Sequence, residues 1–272
     1  MADGKTGEIA AVEKTPRAVA VRRGRGWLAV ANHPETPDFS ATRPLHATST
    51  SLYRARRIEE ILSAEAGRLD VPSAARVLRD RRGLHGKDIG PGNRNAVNSL
   101  ISSHSVVFDL TARRAWVAAA PHGLGRFAAY SLDLGVEAGP GDSRFAGLAA
   151  AGIAPDPWLV SGGYRKFEAA RRLLLEGRGA LKLNRRAEAA ADANEALRLA
   201  PGFVEALALR AEARASSARF GEARADCLAA LARDPAPPPF EHSLESFCAA
   251  VAAGKLPKGQ LAYPVSPSDP PP

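Results

Sequence analysis

Two cysteines in 272 residues, Cys227 and Cys248, are too few for a disulfide framework, and no CxxC pair offers a metal site. Histidine is sparse as well, at positions 33, 46, 85, 104, 122 and 242, with no metal-ligand spacing among them. Gly123-Leu124-Gly125 lacks the strand-to-helix setting of a phosphate loop, so neither a metal nor another cofactor is expected. Aromatic residues make up only 6% of the chain, and no nucleic-acid recognition motif accompanies the net charge of +8. The positive excess lies early: up to Gly135 there are 20 Lys+Arg against 13 Asp+Glu. Those arginines, such as Arg54, Arg56, Arg57, Arg79, Arg81 and Arg82, are scattered, which suits a solvated surface better than a nucleic-acid partner. No apolar run approaches 18 residues, and the first residues form no apolar leader. A membrane partner is therefore not expected, and the expected location is cytoplasmic.

What is present, and present twice, is the stretch 177–235. Glu188 and Glu222, Ala189 and Ala223, Asp192 and Asp226 pair at one offset, as do Ala196 and Ala230, Leu197 and Leu231, Pro201 and Pro235. The offset is 34 residues, the period of a helix-turn-helix repeat that stacks on its neighbours. Small residues fall where helices cross closely: Gly177 and Ala211, then Ala189 and Ala223, then Ala196 and Ala230. Pro201 and Pro235 close each unit, because proline cannot continue a helix. The pattern resembles the tetratricopeptide (TPR) family. It departs from it at Leu173 and Leu207, Ala180 and Arg214, Ala193 and Cys227, where that family prefers aromatics. The resemblance implies an all-α stack that binds a protein or peptide.

The first half reads differently. Residues 8–15, 17–23 and 27–31 are rich in Val, Ile and Trp and are punctuated by Gly and Pro, which predicts strands. Helical spacing of Leu52, Ala55, Ile58, Leu62 and Ala66 predicts a helix over 51–69, and a second one follows with Pro72 in its first turn. A Gly/Pro/Asn-rich loop over 83–96 precedes a predicted hairpin, 99–110 with 114–119, in which Val106-Val107-Phe108 is a buried run. Residues 127–132 predict one more strand. This divides the chain into an α+β domain at 6–135, a Gly/Pro-rich linker at 136–162, helical repeats with a capping helix at 163–253, and a disordered Pro-rich tail at 254–272.

Four stretches of the first half carry a second resemblance. They are Glu13-Lys14-Thr15 with Ala31-Asn32-His33; Ser51 with Arg54 and Arg57; Ala75 to Asp80; and Ser105 to Asp109 with Arg114 to Ala118. Together they resemble the C-terminal part of the isopenicillin-N acyltransferase family, N-terminal-nucleophile hydrolases related to the choloylglycine hydrolases. The resemblance implies a partial αββα unit and an attack on an amide or thioester by a cysteine at a new N-terminus. It also implies an asparagine that donates to the oxyanion. Asn32 matches that asparagine; the alternative is that it caps a strand end before Pro34. No cysteine precedes Cys227, so the nucleophile is absent. Cys227 and Cys248 fall on apolar helix positions and read as core rather than catalytic. Ser103-His104-Ser105 is no catalytic pair, since neighbours on a strand face opposite ways.

Two functions follow. One is the C-terminal portion of an acyltransferase or amidohydrolase, completed by an upstream nucleophile-bearing polypeptide and fused to a TPR module. The other is a non-catalytic TPR scaffold or adaptor.

Overall fold

The computed structural model describes residues 1–37, 39, 48–132, 150–256, 259 and 261–264. These form a mixed α+β protein with eight α-helices and two small antiparallel sheets. The chain divides into two compact units. The first takes Met1–His46, Ser51–Asp80 and Leu100–Val160; the second takes Ala47–Thr50, Arg81–Ser99 and Ser161–Pro272.

In the first unit, strands β1 (Ile9–Lys14) and β2 (Val19–Gly24) pair antiparallel with Val12 opposite Val21. The strand predicted at 27–31 is not formed; Trp27 makes an isolated bridge to Arg25 across Gly26. Helix α1 (Ser51–Ala64) ends earlier than predicted, before Gly67, whose φ of 73° is left-handed. Ser51 and Ala55 face the interior, while Leu52 is exposed. Helix α2 (Val71–Leu78) starts from a capping box in which Asp70 accepts from the Ser73 amide and Ser73 Oγ reaches back to the Asp70 amide. Strands β3 (Val106–Asp109), β4 (Arg114–Ala118) and β5 (Phe127–Ser131) make the second sheet, ordered β3-β4-β5.

One face of that sheet carries Val107, Trp116, Ala129 and Phe127 and packs under Ala75 and Leu78 of α2. The other face carries Phe108 and Tyr130, which are 60% and 53% exposed. The expectation of a continuous buried run at Val106-Val107-Phe108 is thereby corrected: the strand alternates, as a sheet packed on one side must. The sheet is sealed at one end by Ile153, which bridges Phe127, and by Ala151, whose carbonyl accepts from the Trp116 indole at 2.9 Å. Those residues and helix α3 (Pro157–Val160) fall in the expected linker; its residues up to 149 lie outside the described residues, as do 265–272 of the expected tail.

The second unit is built from α4 (Gly163–Lys182), α5 (Arg186–Leu199), α6 (Val204–Ser216), α7 (Phe220–Leu231) and α8 (Pro238–Ala252). The backbone repeats with the sequence. Asn184 and Ala218 adopt left-handed φ of 61° and 58° at equivalent turns. Arg185 pairs with Glu188 after the first, and Arg219 with Glu222 after the second. Ala189, Ala196, Ala223 and Ala230 are all fully buried where helices cross. At Gly177 a Cβ would stand 2.7 Å from Leu209 Cδ2 and 3.1 Å from Asp192 Cβ, so a side chain there would force its neighbours to shift. Helix α6 is central and buried nearly all round, from Val204 to Ala215.

The segment Arg81–Ser99 belongs to this helical unit although it lies within the sequence interval 6–135. Asn93 donates through Nδ2 to the carbonyls of Arg233 and Asp234, at 3.1 and 3.0 Å, and Asn95 donates to Asp234 O at 3.2 Å. Lys87 pairs with the Asp234 carboxylate. Gly90 lies against the Gly202 carbonyl with φ of 78°, leaving no room for a side chain.

Candidate functional site

Helices α4, α6 and α8 share the inner face of the helical unit. Three of their polar side chains converge on the chain's own segment, Leu261 to Pro264. Leu261 is 7% exposed and joins the cluster of Val204, Leu207, Phe240, Leu244 and Phe247. Tyr263 packs its ring on Phe240, with centroids 5.4 Å apart, and the Arg178 guanidinium lies 4.4 Å above its centroid. Its hydroxyl donates to Glu212 Oε2 on α6. The Ala262 amide donates to Ser243 Oγ on α8 at 3.0 Å. The segment is thus held by alternate side chains, Leu261 and Tyr263, and by its backbone. Burying two such side chains stabilises the contact by about 1.5–3 kcal/mol each.

A cavity of about 240 Å³ adjoins Tyr263, lined by Arg178, Lys182, Arg186 and Asn184 on one side and Glu212 and Ser216 on the other. Burial pushes the Glu212 carboxyl up, while the hydrogen bond from Tyr263 acts against it. Burial also pushes the Tyr263 phenol well up, and the nearby Glu212 charge adds to this. Glu205, in the first turn of α6, is raised to about 7 by burial; Arg94, Arg171 and Arg178 pull it down without offsetting the desolvation. Sequence reasoning missed all four of Arg178, Glu205, Glu212 and Tyr263. The signal present was two Glu seven residues apart on α6, Glu205 and Glu212, in a helix whose remaining residues are mostly apolar apart from Arg210, Arg214 and Ser216.

The residues singled out in the first unit are also brought together. Asn32 is exposed, and its Oδ1 accepts from Arg54 Nη2 at 3.0 Å. Next to it, His33 is buried with Nδ1 2.8 Å from Ser51 Oγ, at the start of α1. Glu13 accepts from the amides of Glu35 and Thr36 and from Thr36 Oγ1. Burial would raise its carboxyl, but those hydrogen bonds and the Arg22 charge prevail and lower it. Arg57 clamps Asp80 at 2.8 and 3.2 Å. Arg79 donates to the carbonyls of Gly123 and Gly125 and lies over Phe127. The stretch Ser103-His104-Ser105 precedes β3 instead of lying on a strand, and His104 is exposed.

Cys227 and Cys248 are joined in a disulfide between α7 and α8, Cα atoms 5.6 Å apart. This corrects the expectation that no disulfide is indicated, while both cysteines are buried as core residues are; 21 residues of separation say nothing about which helix faces meet. Among the described residues no group of His, Cys, Asp and Glu is placed to hold a metal, and no helix is long and apolar enough to cross a membrane. No family model, curated protein or solved structure matches the chain.

Proposed function

We propose that this protein is an interaction scaffold whose helical unit, a TPR-type stack, binds a protein or peptide along the inner face of α4, α6 and α8. The observation that carries the reading is the segment Leu261 to Pro264 seated on that face through side chains and backbone together. A surface that seats one such segment has the depth and polar partners to seat a partner's segment in its place. The test is an array of short peptides probed with the purified chain. Binders whose signal falls when Arg178→Ala and Glu212→Gln are introduced support the reading; signal indifferent to both variants overturns it.

We read the first unit as the C-terminal part of an αββα acyltransferase-like fold whose nucleophile another polypeptide supplies. Both sheets leave apolar residues outward, Val12, Val19 and Val21 on one, Phe108 and Tyr130 on the other, as layers awaiting a partner layer do. The chain's two cysteines are buried on the faces of α7 and α8, away from any free α-amino group, so neither serves as the nucleophile whether the disulfide is formed or reduced. The purified chain is expected to turn over no amide or thioester by cysteine chemistry. Turnover lost in a Cys227→Ser, Cys248→Ser double variant would overturn this. With an upstream polypeptide added, Asn32→Ala is expected to lower any resulting rate by about 10²-fold. The cytoplasm remains the proposed compartment. Thiols reduced there would be found at Cys227 and Cys248, whereas an oxidising compartment would keep the disulfide; alkylation of extracts followed by mass measurement reads this directly.

A further inference from the structure

The inner face of the helical unit is not empty ground. Leu261 fills an apolar pocket made by α6 and α8, and Ala262 is exposed between two anchors. Tyr263 fills a second, mixed pocket: Phe240 below, Arg178 above, Glu212 at its hydroxyl. This is the pattern of strand recognition, in which alternate side chains enter and the residue between them faces out. Phenylalanine in the second pocket would leave the half-buried Glu212 with the Leu261 amide but without the phenol, one of its two donors, which favours tyrosine. The segment is only four described residues long and adds no secondary structure of its own. Its hold rests on two side chains and a backbone hydrogen bond, which a competing peptide can reproduce in full.

We propose that this channel is a docking site for an extended peptide bearing an aliphatic residue two places before a tyrosine, and that Leu261 to Pro264 is its resident competitor in cis. The inference rests on the interaction-scaffold reading and names the partner's chemistry and its regulation. A tethered segment sits at an effective concentration on the order of millimolar. A partner binding only the vacated channel then pays for displacement, its apparent affinity falling by the fraction of open molecules. The interaction is held weak until the partner is abundant, or is itself tethered nearby.

The experiment uses a fluorescent peptide spanning residues 259–266 and measures anisotropy against the full chain and a full-length Leu261→Ser, Tyr263→Ala variant. The opened variant is expected to bind at least about tenfold more tightly than the parent. Replacing the tyrosine of the peptide with alanine, or adding Glu212→Gln to the opened variant, is expected to remove that gain. Equal binding to both chains, or none to a folded opened variant, overturns the proposal. A chain ending at Gln260 is the second variant; if both variants unfold in thermal melts, the segment is a permanent part of the core and the proposal falls. A parent dimer that disappears in the double variant would assign the segment to a second copy, which also overturns competition in cis. The peptide array, probed with the opened variant, separates the two readings. Binders lacking the aliphatic-x-Tyr pattern would sink this inference and leave the scaffold standing. A silent array would sink both.

Discussion

Glu205 is buried within the electrostatic reach of Arg94, Arg171 and Arg178, yet its Oε2 has no hydrogen-bond partner among the described residues. Its carboxyl is raised to about 7 by burial, against 4.5 in the unfolded chain. The folded state therefore binds its proton more tightly. The stability it contributes is fully present below about pH 4.5 and is lost as pH rises through about 7. Glu205→Gln removes that loss. Urea melts at pH 5 and pH 8 are expected to show the variant gaining on the parent by about 1–3 kcal/mol between the two. The repeated aspartates show how one register position serves opposite ends. Asp226 is buried and held by Arg210 and Arg214. Asp192, 34 residues earlier, instead faces Glu176 and Glu188, and burial with those charges raises its carboxyl. Asp226→Ala is expected to cost about 1–3 kcal/mol by taking the buried partner from two arginines that keep only Asn194 and Glu222, while Asp192→Asn stays within about 0.5 kcal/mol or stabilises. Thermal melts of the two variants side by side check the difference in sign.

At the scale of elements, the helix crossings depend on four alanines with no exposed surface. Ala196→Leu or Ala230→Leu must push α5 or α7 off its neighbour, at about 1–3 kcal/mol. Melts that match the parent would contradict the register. The crossing of α7 and α8 is fastened covalently by Cys227–Cys248. Reduction frees the chain between them in the unfolded state, and a loop of this size makes that worth about 3 kcal/mol. A melt with and without dithiothreitol should show it, and a Cys248→Ser variant should melt with the reduced parent. Among the strands, Phe108 and Tyr130 flank Ala115 on the outer face of the β3-β4-β5 sheet. Phe108→Thr is expected to leave stability within about 0.5 kcal/mol, because an exposed side chain gives up little burial.

At the scale of the molecule, the helical unit takes in a segment from far upstream. A fragment starting at Ser161 retains α4 to α8 and is expected to give a helical circular dichroism spectrum with no strand signal. It lacks Asn93 and the backbone that packs at Gly202, so it should melt below the full chain. Asn93→Ala in the full chain reproduces part of that loss, about 1–3 kcal/mol, by taking this donor from the Ile89 and Arg233 carbonyls, while Asp234 O keeps Asn95. A fragment as stable as the full chain would show that 81–99 contributes nothing to the stack.

The sequence by itself determined the helical repeat. A 34-residue offset in small residues, charges and prolines can be satisfied only by helices that cross at the same points twice, and the buried alanines and the paired Arg-Glu turns follow from it. It also determined most strands and the capped start of α2, since alternation and capping are local rules. Tertiary structure decided the rest. Cys227 meets Cys248 because α7 and α8 pack together. The loop 81–99, with glycine and asparagine in plenty, has no periodicity to show where it docks. Asn32, singled out by resemblance, is placed beside Arg54 by the approach of α1 to the loop that follows β2. The channel was invisible because its parts, Arg178, Glu212, Phe240 and Tyr263, come from four segments, and each residue alone is an ordinary helix or tail residue. Local pattern records what a residue's near neighbours require, whereas a site assembled across the fold is set by packing between elements, which no window of sequence contains.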